Sequence, residues 1–433
     1  MPVSIQMKHV DYGNLVFDRF FIGEMNLVMA SATQVASTVP KAQRNRFAFL
    51  DLMRFLAAIG VVGYHYTAIK YVNWGEPVSE VFPSLSKVTK YGLLGVDLFF
   101  LISGFVILMS AYQRPAGQFV ASRFSRIFPA LWVMIILGAL MRWVIWPEKG
   151  ANFQFRDLLV NLTLVVEPNG SPYVDGVMWT LWTEMRFYVL IFLFILWGIT
   201  QQRIVMVSLL WPVTAFLAVQ TDNWFLAGIL LPSSAPLFAG GMMMFVIYKW
   251  GWSWLKAGVL LSNVAWASMQ SSKGAATGII RNTAYGADDL KLTIAIVLIF
   301  VIVGVCVLTP VRSISSKWMT WLGLFTYPLY LVHELWGWFI IDRLAGTMSK
   351  YAVLVIAVSI TFLMAYLIIK FVEKPFSGKM RNRIAKDLEK IKLQDDTEKE
   401  LFDMAQGKFL KRPAEVVPEI KEDPTKELDP ATT

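Results

Sequence analysis

The chain has 433 residues, of which 56% are hydrophobic and only 16% are charged. Water-soluble domains carry about 25% charged residues, so this composition argues against a soluble globular enzyme. The mean hydropathy of +0.52, with 17 Trp and 30 Phe, indicates a polytopic membrane protein. The single cysteine, Cys306, excludes an internal disulfide framework and any multi-cysteine metal site.

Charge and histidine content narrow the function classes further. The chain contains only three histidines, His9, His65 and His333, so we expect no metal centre. The net charge of +9 is typical of a membrane protein whose cytoplasmic loops are rich in Lys and Arg. No basic stripe with interleaved aromatic residues is visible, so we expect no nucleic-acid partner.

The two ends of the chain differ from its apolar middle. Residues 1–46 contain no clean apolar run, because Asp18, Arg19 and Glu24 interrupt it. We therefore interpret 1–46 as a weakly ordered cytoplasmic extension rather than a cleaved leader. Residues 377–433 are highly charged and are predicted to form a partly disordered cytoplasmic tail, with an amphipathic helix at about 378–404. The segment 47–376 is left as the transmembrane domain.

About ten apolar segments lie within this domain. Crossing a hydrocarbon core of about 30 Å takes about 20 residues of helix. An open sheet edge is not tolerated in lipid, so these segments predict an all-α polytopic bundle of about ten helices. The predicted spans are 48–69, 92–112, 127–147, 179–199, 204–221, 224–248, 254–270, 291–310, 318–341 and 351–372.

The distribution of basic residues predicts an orientation. If the first helix runs outward, one set of loops carries Arg44, Arg123, Lys249 and Arg312, whereas the opposite set is poorer in Lys and Arg. The positive-inside rule then makes the first set cytoplasmic, although the 70–91 loop on the other side is also basic. An even number of spans places both termini in the cytoplasm.

The first apolar segment carries two ionisable residues that are costly to bury in lipid. Arg54 and His65 are eleven residues apart, which is about three helical turns and about 16 Å along the axis. They therefore share a helix face at different depths, an arrangement that suits an anionic ligand with its reactive end near His65. The alternatives are that Arg54 reaches the headgroups and that His65 is an ordinary core histidine.

The second and third segments add further polar candidates. Asp97 lies in an apolar run close to Ser103 and Gly104, whose small side chains also favour simple helix packing. Arg123 and Arg126 are three residues apart and share a helix face, so their guanidiniums are placed to bind phosphates bidentately. The alternative is a positively charged anchor at the cytoplasmic boundary.

Two later segments carry carboxylate, phenol and imidazole groups. Glu184 and Tyr188 lie in an aromatic stretch, where a carboxylate can orient an imidazole or accept a proton. His333 lies in the ninth segment, and its alternative role is a structural hydrogen bond between helices. The motifs of nucleotide-binding loops, serine-hydrolase elbows and zinc proteases are absent from the sequence.

Taken together, these segments resemble the membrane-bound acyltransferase family 3, and the resemblance covers about residues 47–375. One departure is Met185, which stands where the family commonly has a second Glu. The matching stretches are LDLMRFLAAIGVVGYHY with Arg54 and His65; GLLGVDLFFLISGF with Phe99, Phe100, Ser103 and Gly104; SRFSRIFPALW with Arg123, Arg126 and Pro129; WTLWTEMRFYVL with Trp179, Leu181, Glu184, Phe187 and Tyr188; and FTYPLYLVH with Tyr327, Tyr330, Leu331 and His333.

The resemblance implies an enzyme that moves an acyl group, usually acetyl, from cytoplasmic acyl-CoA to a sugar hydroxyl. Acyl-CoA is then a donor substrate, and no permanently bound cofactor is expected. Arg54, Arg123 and Arg126 are expected to hold the phosphates of CoA. His65 is expected to act as general base on the acceptor hydroxyl or to mediate passage of the acyl group, and Glu184 is expected to orient it or to stabilise its imidazolium.

The remaining candidates are assigned to the thioester and the acceptor. Ser103 and Tyr188 are expected to donate hydrogen bonds to the thioester oxygen as charge develops on it. His333 is a second candidate on the acceptor side, and Asp97 is a further substrate candidate. The expected location is the bacterial inner membrane, with no expectation about oligomeric state.

The main alternative is a transporter or flippase for a polar or lipid-linked glycan, which would also place charged groups inside a helical bundle. Such a protein is expected to show repeated halves with broken helices. No internal symmetry of that kind is visible in the sequence.

Overall fold

The computed structural model describes residues 47–149 and 152–405, without the side chains of residue 72 and of residues 391–405. Within these ranges the chain is helical and forms no β-strand, and its one extended pairing is an isolated bridge between Ile69 and Thr283. The predicted extension 1–46 and the end of the predicted tail lie outside the described residues. The predicted all-α architecture is confirmed for the residues that the structure describes.

Eleven long helices follow one another along the described chain. They are α1 (Ala48–Thr67), α2 (Gly95–Ala111), α3 (Ala116–Leu140), α4 (Met178–Trp197), α5 (Gln201–Gln220), α6 (Ala235–Trp250), α7 (Trp254–Asn282), α8 (Asp289–Leu308), α9 (Lys317–Leu344), α10 (Lys350–Ile368) and α11 (Lys374–Ala405). Shorter α-helices are Val78–Val81, Leu85–Thr89, Phe155–Thr163 and Trp224–Leu230. The 3₁₀ turns are Val72–Trp74, Lys90–Leu94, Pro147–Lys149, Glu167–Asn169 and Pro310–Ser313, and the π turns are Met141–Ile145 and Ile369–Glu373.

Eight helical segments of the described chain are long and apolar enough to cross a membrane, so the protein is an integral, multi-pass membrane protein. The sequence predicted about ten. The two further predicted spans, 254–270 and 318–341, lie in α7 and α9, which have 29 and 28 residues but are less apolar.

Local sequence signals define several helix ends. Side chains of Thr200, Ser253 and Asp288 accept the backbone N–H three residues later, which satisfies donors that the first turn leaves free. Gly198 and Gly251 end α4 and α6 with φ of 90° and 75°, a backbone conformation that side chains disfavour. These residues therefore fix where α4 and α6 end and where α5, α7 and α8 begin.

Small residues allow the helices that carry the site to approach closely. A Cβ added at Gly104 of α2 would collide with the carbonyl of Phe238 in α6, as the Ser103-Gly104 pattern predicted for helix packing. A Cβ added at Gly337 of α9 would collide with the side chain of Tyr66 in α1. The Tyr66 hydroxyl donates a 2.8 Å hydrogen bond to the carbonyl of His333. The contact between α1 and α9 is therefore tight and of fixed register.

Three predicted boundaries differ from the structure. Helix α3 begins at Ala116 rather than 127, directly after Pro115, and the basic segment that the prediction left outside forms its first turns. The predicted span 224–248 is two helices, Trp224–Leu230 and α6, which are separated at 231–234, where Pro232 interrupts backbone hydrogen bonding. Helix α7 continues to Asn282, well beyond the predicted end at 270. Arg123 and Arg126 consequently lie within α3 and not at its first turn.

Candidate active site

Helix α1 carries the two charged candidates near its opposite ends. Arg54 and His65 are separated by about 16 Å along the helix axis, at about 1.5 Å per residue. Helices α2 and α9 both pack against α1. Each end of α1 therefore meets a different set of polar side chains.

One set lies at the Arg54 end, and we call it the arginine cluster: Arg54, Arg123, Arg126, Glu184 and Tyr188. Arg54 interacts electrostatically with Arg126 and Glu184. The guanidinium carbon of Arg123 lies 5.8 Å from the ring centroid of Tyr188, and the buried Nε of Arg123 has no partner in the described part of the chain. The side chain of Arg126 is exposed. The structure thus brings together the three arginines that the sequence singled out.

Glu184 is held by two hydroxyl groups. The Tyr188 hydroxyl, one turn further along α4, donates to Glu184 Oε1 at 2.7 Å, and the Ser103 hydroxyl donates to the same oxygen at 3.4 Å. Hydroxyls in an apolar bundle need acceptors, and this carboxylate is the acceptor within their reach. The structure thus joins Glu184, Ser103 and Tyr188 to one another, and their expected roles toward His65 and the thioester oxygen stay predictions.

The second set lies at the other end of α1, and we call it the histidine cluster: His65, His333, Glu334 and Asp175. His333 Nε2 lies 3.1 Å from His65 Nδ1, and the two ring centroids are 4.8 Å apart. Glu334 Oε2 lies 3.7 Å from His65 Nε2. The structure thus pairs the two predicted histidines and gives His65 a different carboxylate from the predicted one.

Hydrogen bonding fixes where the protons of the two neutral imidazoles lie. His333 Nδ1 is 2.8 Å from the carbonyl oxygen of Tyr330, which only accepts, so Nδ1 carries the proton and Nε2 has the lone pair. His65 Nδ1 faces two acceptors, the carbonyl of Val61 at 2.9 Å and His333 Nε2, so it also carries a proton. His65 Nε2 is therefore the nitrogen whose lone pair remains available.

Sequence reasoning assigned no role to Glu334 or Asp175. Glu334 follows the candidate His333 directly, which is the one signal that pointed to it. Asp175 lies in the loop before α4, and only the fold brings it to α9, where its Oδ2 accepts the backbone N–H of Leu335 at 3.2 Å. In the described part of the chain, no group of three or more His, Cys, Asp or Glu side chains is arranged to hold a metal ion.

Two neighbouring aromatic side chains hold the backbone around the histidines. The Trp338 indole N–H donates to the carbonyl of His65 at 3.1 Å, near the end of α1, where helical carbonyls lack partners. The Tyr66 hydroxyl supports the carbonyl of His333 in the same way. Both imidazoles are therefore anchored through their own backbone as well as through their rings.

A small apolar group packs around Val61, which lies between Arg54 and His65 in α1, and we call it the apolar layer. It consists of Val61, Val177 and Tyr330, with Phe99 packed against Tyr330 at a ring-centroid distance of 5.9 Å. The Tyr330 hydroxyl is bound to that of Thr180 at 2.9 Å. A substrate held at the arginine cluster must therefore extend past this layer to reach His65.

Asp97 has no described role in either cluster. It lies in the first turn of α2 and is only partly buried. Within the described ranges, no hydrogen bond or ion pair joins it to the arginines or to the histidines. Its assignment as a substrate residue stays a prediction.

Comparison with known proteins assigns the chemistry. Residues 47–370 match the family described as Acyltransferase domain. Nodulation protein 10 of Rhizobium leguminosarum bv. viciae is 32% identical over 169 residues, which is 34% of this chain and 42% of that protein. Peptidoglycan O-acetyltransferase OatA of Listeria monocytogenes serovar 1/2a is 30% identical over 112 residues, which is 24% of this chain and 15% of that protein.

A third relative, the putative membrane-bound transacylase BcsY of Komagataeibacter xylinus, is 30% identical over 141 residues, which is 29% of this chain and 36% of that protein. The chain thus matches less than half the length of each of these relatives. No solved structure matches it. The family match decides between enzyme and transporter, since it covers most of the chain. The chain belongs to the membrane acyltransferase family.

Proposed function

We propose that this enzyme transfers an acyl group, in the first instance acetyl, from acyl-CoA to a hydroxyl of a carbohydrate. The arginine cluster faces the cytoplasm in this proposal, and the membrane is the bacterial inner membrane. The observation that carries the proposal is the environment of His65. Its Nδ1 lies within hydrogen-bonding distance of the Val61 carbonyl and of His333 Nε2, which leaves the lone pair of its own Nε2 available. His65 also lies about 16 Å from Arg54 along the axis of the same helix. The proposed general base His65 and the proposed phosphate-binding residue Arg54 therefore lie on the same rigid helix.

His65 acts as general base on the acceptor hydroxyl. Its Nε2 takes the proton as the hydroxyl oxygen attacks the thioester carbonyl, a role that is typically worth about 10²- to 10⁴-fold in rate. The imidazolium that forms is stabilised by the carboxyl group of Glu334, 3.7 Å from Nε2. His333 keeps the proton of the neutral ring on Nδ1, so that Nε2 stays basic.

The arginine cluster binds the donor. Guanidinium groups bind phosphate oxygens through paired, charge-assisted hydrogen bonds. Arg126 is exposed, and Arg123 keeps a buried Nε without an acceptor among the described residues, so both retain donor capacity. With the phosphates of CoA at these arginines, its pantetheine arm extends past the apolar layer and carries the thioester toward His65.

The acceptor side is lined by aromatic side chains. The ring centroids of Tyr71 and Trp338 are 4.3 Å apart, and Trp338 lies 6.0 Å from His65. Tyr71 is 47% exposed. Aromatic faces pack against the apolar face of a sugar ring while leaving its hydroxyls free to react, which supports a carbohydrate acceptor. A relative is named for O-acetylation of peptidoglycan, a glycan, which supports the same class.

The donor reaction is tested with purified protein in detergent, by following thiol release from acetyl-CoA with and without added oligosaccharide. The only cysteine, Cys306, is buried and contributes little background. The wild-type protein should release thiol, and His65→Ala should release it at least about 10²-fold more slowly. Wild-type rates in His65→Ala would refute the assignment of the base.

The acceptor is tested in cells. Surface glycans from cells with and without the gene are compared by mass spectrometry, and the ester mass that disappears identifies both the acyl group and the sugar. Thioester cleavage by the purified enzyme, combined with an unchanged glycan profile, would refute the carbohydrate acceptor and leave the donor chemistry intact.

A further inference from the structure

Asp175 is a buried carboxylate that the chemistry described so far does not use. It is 7% exposed. Its Oδ1 accepts the backbone N–H of Val177 at 3.2 Å and its Oδ2 accepts that of Leu335 at 3.2 Å, which ties the loop before α4 to α9. Its carboxyl group also lies beside that of Glu334, because Asp175 binds the N–H of the residue after Glu334 and the neighbouring Gly176 packs against the Glu334 carboxyl. Two carboxyl groups are thus in contact directly beside His65.

The loop before α4 is shaped to lie against the carboxyl group of Glu334. A Cβ added at Gly176 would lie 2.6 Å from Glu334 Oε1 and 3.0 Å from Oε2, so only glycine lets the loop lie against this carboxyl. The other side of Glu334 faces His65 Nε2 at 3.7 Å. Asp175, Glu334 and His65 therefore form a continuous row.

Two buried carboxyl groups that lie side by side share a proton, because two carboxylates repel each other and offer no donor to each other. Asp175 accepts two backbone N–H groups, which favours its ionised form. The proton therefore belongs to Glu334, which donates it to Asp175. Burial raises the pKa of Asp175, whereas its two backbone N–H donors and Arg142 act in the opposite direction and favour its ionised form. The titratable and charged groups facing the pair are Arg142 of the π turn Met141–Ile145, Tyr64, His65 and Tyr66 of α1, and Tyr330 and His333 of α9.

We propose that Asp175 is a positioning residue for acyl transfer: through the proton it shares with Glu334, it places one negative charge beside the imidazolium of His65. This inference rests on the proposed role of His65. In the reaction, the hydroxyl proton moves to His65 Nε2 as the oxygen forms its bond to the thioester carbon. The carbon–sulfur bond then breaks, its electron pair leaves on sulfur, and the imidazolium returns the proton to give the CoA thiol. The proton shared by Asp175 and Glu334 stays on the pair throughout.

The test is Asp175→Asn, which keeps the size and the acceptor oxygen but removes the charge. In the full-length protein in detergent, kcat for acetyl-CoA cleavage should fall about tenfold and KM should stay unchanged, because the donor is bound elsewhere. The acidic limb of the kcat–pH profile should move to lower pH by about 1 pH unit or more, because the imidazolium loses a nearby opposite charge. The matched control is Asp157→Asn, an equally buried aspartate in the capping box of Phe155–Thr163, which should not move the limb.

A folded Asp175→Asn protein with the wild-type kcat and acidic limb would overturn the proposal, as would equal shifts in both variants. A second measurement does not depend on that variant folding. Infrared spectra of the wild-type protein at neutral pH should contain the band of a protonated, buried carboxylic acid that Glu334→Gln removes, and absence of this band would overturn the shared proton. If wild-type protein cleaves no acetyl-CoA, the proposed function fails, whereas the infrared result still decides the state of the pair.

Discussion

Replacing His333 by leucine removes the acceptor that its Nε2 offers to the Nδ1–H of His65 at 3.1 Å. The carbonyl of Val61, 2.9 Å from the same nitrogen, remains as an acceptor, so the ring loses one of two hydrogen bonds. A neutral hydrogen bond contributes about 0.5–1.5 kcal/mol. If that loss falls on the transition state, kcat should decrease about twofold to tenfold. This decrease is much smaller than the one expected for loss of His65 itself.

The assay is thiol release from acetyl-CoA by the purified His333→Leu protein, compared with His333→Gln. Glutamine places an amide oxygen close to the position of Nε2, so it retains an acceptor and should recover most of the rate. Wild-type kcat in His333→Leu would refute the argument that His333 holds the proton of His65 on Nδ1. Equal losses in the two folded variants would refute it as well, because the acceptor would then be irrelevant.

Three further predictions follow from the same geometry. Replacing both Arg123 and Arg126 by alanine should raise KM for acetyl-CoA strongly with a smaller effect on kcat, and unchanged CoA binding would discard the phosphate role. Gly337→Ala should lower the unfolding midpoint in detergent by overpacking against α1, at a cost of about 1–3 kcal/mol, whereas Gly258→Ala, with no atom within 4 Å, should not; equal midpoints would contradict the close contact. Tyr71→Ala should reduce transfer to glycan and leave acetyl-CoA hydrolysis unchanged, and a parallel loss of both would place Tyr71 in the structure rather than at the acceptor.

The helices were predictable because their cause is local. Apolar runs of about 20 residues can satisfy their backbone in lipid only as helices, so composition alone defines α1, α8 and α10 closely. The predicted helix ends are wrong where a helix continues beyond its apolar stretch. Helix α7 continues into a run of Ser, Ala and Gly whose small side chains are partly buried in the bundle, and no apolar pattern marks that run.

The arginines were predictable as a set, whereas the partners of His65 were not. Arg54 stands out because it is costly in an apolar segment, and Arg123 and Arg126 stand out because their spacing of three residues puts them on one helix face. His65 and Glu334 are 269 positions apart, and a carboxylate next to an imidazole in space leaves no trace in sequence spacing. The hydrogen bonds that Glu184 accepts from Ser103 and Tyr188 were not indicated by the sequence, because they depend on how α2 packs against α4. The loop residue Asp175 was recoverable only from the fold.

Because Arg54 and His65 both lie on α1, the number of residues between them fixes both the distance and the angle between the two side chains. Each residue of an α-helix contributes about 1.5 Å and 100°. Removing a single residue between them would shorten the gap only slightly but would turn the imidazole about a quarter of the way around the helix, away from α9. We therefore expect substitutions among the ten residues between Arg54 and His65 to be tolerated better than insertions or deletions there.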